Sequence, residues 1–181
     1  MSKKFFGKTQ GLKNQGGFSM VELALVLVAA ALILVGVFSK FSGNSSAASA
    51  QELSGDLITL VGKVKSNYAN QYANATNANL NTGGFFRDLN SLNNNAGTVV
   101  TNLGGGTLTV SGGTVNSAND SVSYVITQVP DDGCLPLVST LAKQATKLTV
   151  GSNIVKAPGT PVNPSNIICS GDNNTISFWV I

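Results

Sequence analysis

The sequence predicts an α+β chain, and three observations predict it. An apolar run of helical length opens the chain, a helical period carries on to about residue 79, and short strand-period runs fill the second half. Residues 18–38 hold a single ionisable side chain, Glu22. As a helix rising ~1.5 Å per residue this run is roughly 31 Å long, the thickness of a bilayer core. A carboxylate near the head of such a helix needs headgroup water or a cation beside it.

The run 39–46, Ser-Lys-Phe-Ser-Gly-Asn-Ser-Ser, is poor in helix formers. Helical spacing then returns with Leu53, Leu57, Leu60, Val61, Val64, Tyr68 and Tyr72 on one stripe. Asn67, Asn70, Asn74, Asn77 and Asn81 recur at steps of three and four on another, the expected polar face. One helix over 18–79 is predicted, apolar first and amphipathic later. Gly36, Gly43, Gly55 and Gly62 each weaken it by about 1 kcal/mol relative to Ala. The Asn-rich stretch 80–96 reads as a loop with a short helix at 86–92.

Residues 99–103 and 107–111 are β-rich runs separated by Gly104, Gly105 and Gly106, the pattern of a hairpin. Residues 121–129 predict a longer strand with Val122, Tyr124 and Ile126 on one face. Pro130 and the acidic pair Asp131 and Asp132 announce a helix, one of the pair capping it and Pro136 in its first turn. Its buried face is expected to be Leu135, Val138, Leu141, Ala142, Ala145 and Leu148, with Lys143 and Lys147 near its C-terminal end. Residues 157–164 carry three prolines at steps of three and predict an exposed, stiffened loop. Residues 175–181 set Ile176, Phe178 and Val180 against Trp179 and Ile181, so both faces are apolar and an interior strand follows.

Only 10% of the 181 residues are charged, against about 25% in typical domains, which suits a subunit that buries surface in a polymer. The basic balance is confined to the N-terminal end. Four of the 11 Lys and Arg, Lys3, Lys4, Lys8 and Lys13, precede the apolar run, leaving seven against eight acidic residues. A nucleic-acid-binding domain, which carries a basic patch, is therefore not expected. The four lysines instead hold the N-terminus in the cytoplasm and send the rest across. Cys134 and Cys169, the only cysteines, fall in that translocated part and read as one disulfide rather than two reactive thiols. With no His, no cysteine left over, no G-x-S-x-G and no metal-ligand cluster, neither an enzyme nor a cofactor is expected.

Gly17-Phe18-Ser19-Met20-Val21-Glu22, behind a basic leader and ahead of a full apolar helix, resembles the processing signature of type IV pilins and related pseudopilins. The resemblance implies that a membrane prepilin peptidase cuts between Gly17 and Phe18 and methylates the new Phe18 amine. Residues 1–17 are then a leader, 18–43 an apolar helix that is first transmembrane and later filament core, and 44–181 a globular pilin domain. Glu22 becomes the family's fifth-position glutamate, expected to meet the amine of its own or an incoming subunit. Segment 36–46 is expected to unwind on filament entry.

The region from Pro130-x-x-x-Cys134 through Cys169 to the last strand looks like the type IVb pilins, closest to the thin-pilus major pilins of conjugative plasmids. Leader length points the same way, although Phe18 is more typical of type IVa. The implied fold is a helix spine packed on an antiparallel sheet, with a C-terminal disulfide region. The implied role is major pilin, a homopolymer in an extracellular filament for adhesion, aggregation or mating, reached as an inner-membrane prepilin through the pilus assembly machinery. A minor pilin, a type II secretion pseudopilin or a membrane-anchored periplasmic binding domain are the alternatives.

Overall fold

The computed structural model describes residues 19–181, and within its first helix it leaves aside the side chains of 35, 36 and 38–44. The chain divides into two compact units, one ending at Ser39 and one from Lys40 to Ile181. Helix α1 spans Met20–Asn67, its backbone helical through the glycines and the serine-rich run. Two single 3-10 turns, Tyr72–Asn74 and Pro164–Asn166, and two shorter helices, α2 at Asn77–Thr82 and α3 at Asp131–Leu141, complete the helical elements among the described residues.

Seven antiparallel strands form one sheet in the order β1-β2-β3-β4-β7-β5-β6. They are β1 Leu92–Asn95, β2 Thr98–Thr101, β3 Thr107–Thr114, β4 Ala118–Val129, β5 Lys147–Val150, β6 Asn153–Lys156 and β7 Asn174–Val180. One face follows from alternation: Leu108, Val110, Val122, Tyr124, Ile126, Leu148, Ile176 and Phe178 are buried. They share a core with Leu53, Leu57, Leu60 and Val64 of α1, where the predicted apolar stripe lies. Tyr124 and Phe178, opposite each other in register, stack with ring centroids 4.8 Å apart. Burial pushes the Tyr124 phenol above its ordinary range. The other face of β7 carries the half-buried Thr175, Ser177 and Trp179, with the Lys147 ammonium 4.5 Å from the indole centroid.

The predicted hairpin across the glycine triplet forms, Val99 opposite Leu108 and Val100 opposite Thr107. Glycine is required there: a Cβ at Gly106 would lie 1.7 Å from Thr127 O. β7 is interior, between β4 and β5, as expected.

Five expectations need correction. α1 stops at Asn67, twelve residues early, because the asparagines act on backbone instead of lining a solvated helix face. Asn67 Nδ2 donates to Lys63 O at 2.8 Å, and Asn70 takes a left-handed φ of 63° that ends the turn. Residues 86–92 form turns and the start of β1, not a helix. α3 ends at Leu141, so Lys147 and Leu148 belong to β5. The buried side chains of α3 are Cys134, Leu137, Val138 and Leu141, while Leu135 is 55% exposed. Finally, the N-cap of α3 is Pro130 and no side chain caps it; Asp131 and Asp132 sit in its first turn, where the dipole favours them, and Pro136 lies inside.

Side chains finish the sheet where strands run out. β2 pairs with β3 only at Thr107 and Leu108. Beyond that, the Asn77 carboxamide takes the place of a strand, donating to Leu108 O at 2.8 Å and accepting from Val110 N at 2.8 Å. Asn77→Ala leaves both groups unpaired beside buried residues and is expected to cost about 2–3 kcal/mol in urea unfolding. A loss below about 0.5 kcal/mol, the lower end for one ordinary hydrogen bond, would contradict this account. At the far edge, Val155 O accepts from Asn163 N at 2.8 Å and Ile154 O from Asn166 Nδ2 at 2.7 Å, so the loop after β6 folds back over that strand. Asp56 fastens α1 to the start of β1, accepting from Ser91 N at 2.8 Å and Ser91 Oγ at 2.7 Å.

Between β3 and β4, Asp120 accepts three backbone N–H groups, from Val115, Asn116 and Ser117, at 2.7–2.8 Å. These bonds, that from Val115 foremost, hold its carboxyl below the ordinary value of 3.8. A depressed carboxylate contributes stability that is complete above the ordinary value and is lost as pH falls through the folded one. The amide signals of Val115 and Ser117 are therefore expected to titrate together with a midpoint under 3.8. A midpoint at or above that value would refute the assignment.

Candidate assembly site

α1 begins with a reciprocal cap. Glu22 N donates to Ser19 Oγ at 3.2 Å, and Ser19 N donates to a Glu22 carboxylate oxygen at 3.3 Å. This is the capping box, in which two orphan donors of a helix start satisfy each other's side chains. It turns the Glu22 carboxylate back toward the point where the chain enters the helix. Sequence reasoning singled out Glu22 and passed over Ser19, although the Ser-x-x-Glu spacing signals this pair. Gly17 and Phe18, the expected cleavage site, lie outside the described residues.

Past the cap, α1 presents its large apolar side chains outward. Met20 is 90% exposed and Leu32 70%, and Leu23, Leu25, Leu27 and Ile33 are also open. A contiguous apolar surface of this kind marks a place where lipid or protein binds. The unbroken stretch with described side chains, 20–34, is short of a bilayer's span, and among the described residues no helix is long and apolar enough to cross a membrane. The 21-residue run of the sequence, 18–38, reaches beyond that stretch at both ends.

In the second unit, Cys134 and Cys169 form a disulfide with Cα atoms 6.0 Å apart, within the usual span. Cys134 is fully buried at the head of α3, and Cys169 is partly buried ahead of β7. The crosslink thus ties α3 to the segment ahead of β7, with β5 and β6 lying between the two cysteines in the chain. Among the described residues no group of three or more His, Cys, Asp and Glu, Asp131 and Asp132 included, could hold a metal ion.

A family model described as PilS N terminal matches residues 45–181, the larger part of the chain. Among solved structures, the chain is similar to TcpA, a type IV pilin from Vibrio cholerae El Tor biotype, with a TM-score of 0.52 at 13% identity. That match covers 74% of this chain and 99% of TcpA, and at such identity it shows the fold. A type IVb pilin from Salmonella typhi also matches, with a TM-score of 0.46 at 15% identity over 75% of this chain and 97% of the other. No curated protein matches. The helix with an antiparallel sheet and one C-terminal disulfide is the architecture expected of a type IV pilin, and the chain belongs to the PilS family.

Proposed function

We propose that this chain is the major subunit of a type IV pilus, held in the inner membrane by residues 18–38 and later polymerised through the same helix. The observation that carries the reading is the Glu22 carboxylate, aimed back at the chain entry on a helix whose large apolar side chains are exposed. Bond lengths alone keep the nitrogen of residue 18 within about 4 Å of Ser19 N. Once prepilin peptidase frees that nitrogen as an ammonium, Glu22 of the same or an adjoining subunit can neutralise it at the same depth in a bundle of apolar helices. A register that separates the two leaves a buried charge unpaired at a cost of several kcal/mol, so the pair selects one packing. The inner-membrane assembly machinery then extrudes the homopolymer as a surface filament, the thin pilus of a mating system being the setting closest in pattern.

Surface filaments sheared from cells and pelleted test this. The expected main component is this chain, with an N-terminal peptide that starts at Phe18 and carries one methyl group. Filaments that lack the chain, or that contain it with Met1 in place, would overturn the proposal. A trace share in otherwise abundant filaments would reduce it to a minor pilin.

A further inference from the structure

A polar pocket of about 330 Å³ opens beside the loop after α2 and β1. It is lined by Asn81, Phe86, Arg87, Leu92, Asn93 and Asn94, together with Gly84, and no acidic side chain is among them. Arg87 is the only arginine of the chain, is exposed, and its guanidinium has no ion-pair or hydrogen-bond partner among the described residues. The side chain is nevertheless placed. Gly84, at φ +70°, leaves room for it, since a Cβ there would lie 3.0 Å from Arg87 Nε. Lys63 Nζ fixes the backbone underneath, donating to Arg87 O at 3.2 Å and Phe85 O at 3.4 Å. A second hollow of about 230 Å³ that contains Lys63 shares Gly84 with the first, so two cations flank one loop.

The carboxamides are ordered too. Asn94 is held at both ends, its Nδ2 donating to Asn81 Oδ1 and its Oδ1 accepting from Gly97 N at 3.1 Å. That uses the Asn81 oxygen and leaves the Asn81 amide hydrogens, like the whole Asn93 carboxamide, without a partner among the described residues. The pocket therefore offers one guanidinium fork, spare N–H donors and an acceptor, with buried Phe86 and Leu92 as its apolar wall.

We propose that this pocket binds a carboxylate-bearing saccharide. A planar guanidinium pairs with a carboxylate through two parallel hydrogen bonds, a match that a neutral sugar lacks. A carboxamide presents a donor and an acceptor side by side, which suits adjacent ring hydroxyls. The apolar wall receives the C–H face of the ring. The volume sits at the low end of small-ligand sites, roughly 300–1,000 Å³, and suits one or two rings. The polar lining excludes an acyl chain. This site is independent of filament assembly, so each reading stands or falls on its own test.

Calorimetric titration of the full chain in detergent micelles with glucuronic acid, glucose and inorganic phosphate decides it. Saturable binding of glucuronic acid is expected, with glucose at least tenfold weaker. Arg87→Gln is expected to weaken glucuronic acid at least tenfold and Asn93→Ala severalfold, while Lys143→Gln on α3's C-terminal side leaves it unchanged. Arg87→Lys, which keeps the charge and removes the fork, is expected to weaken it as well, and serves if Arg87→Gln fails to fold. No saturable binding, equal binding of glucose, or unchanged binding in both Arg87 variants overturns the proposal. Phosphate binding as tightly as glucuronic acid overturns it as well, reducing the pocket to a general anion site.

Discussion

Cells producing Glu22→Gln are expected to hold normal amounts of processed chain in the membrane and to yield less than about a hundredth of the wild-type sheared filament. Removing one partner of a buried ion pair costs about 3–5 kcal/mol, because the other charge stays behind uncompensated. At 1.4 kcal/mol per factor of ten, that is a penalty of roughly two to three and a half orders of magnitude in assembly. Gln is the informative substitution because it also completes a capping box, so the bonds of Ser19 with residue 22 survive and only the charge is lost. Glu22→Val removes both. Equal defects in the two variants are expected if the carboxylate acts as a counter-ion. Normal filaments from Glu22→Gln beside none from Glu22→Val would show that residue 22 merely caps the helix, and the counter-ion role would be lost.

The second large effect concerns the crosslink. Cys134→Ala with Cys169→Ala opens a closed loop of 36 residues, one more than the sequence separation of 35. On the chain-entropy account this removes roughly 3.5–4 kcal/mol of stability. For a domain of this size the thermal midpoint should fall by roughly 10–20 °C. Alanine is preferred to serine because Cys134 is fully buried, and a hydroxyl there would add the cost of an unpaired polar group. The loop holds most of α3, all of β5 and β6, and the segment that folds over β6, so these should lose amide protection before β3 and β4 do. A midpoint within about 3 °C of the wild type, measured on oxidised wild-type protein, would show that packing alone holds the region.

Much of this was legible in the sequence where burial had one sign. Val122, Tyr124 and Ile126, and Ile176, Phe178 and Val180, recur at steps of two and are all buried, and a period of two has one structural meaning. The asparagines were not legible in the same way. Asn67 and Asn77 fall at helical steps, yet a carboxamide that can reach backbone competes with the helix, and spacing does not say which it reaches. Ala142, Ala145 and Leu148 were misplaced for a related reason: all three are buried, as on a helix face, but Leu148 is buried from a strand. The telling signal was the two-residue link Gly151-Ser152 between 147–150 and 153–156, a hairpin turn that a helix extended through Leu148 conceals. At the helix start, the Ser19–Glu22 cap follows a linear Ser-x-x-Glu spacing that the sequence displays. The Arg87 pocket draws on residues from 81 to 94 that only the turns between α2 and β1 bring together.

The loop that folds back over β6 governs how crowded copies can behave. An outermost strand with free carbonyls is a template on which another molecule can lay its own strand, and subunits concentrated on a fibre meet that hazard constantly. Asn163 and Asn166 occupy the carbonyls of Val155 and Ile154, so lateral ribbons have no footing there. The opposite rim is only the four residues Leu92–Asn95, too brief for a durable graft. Edge-to-edge pairing is thereby hindered at both margins of the sheet.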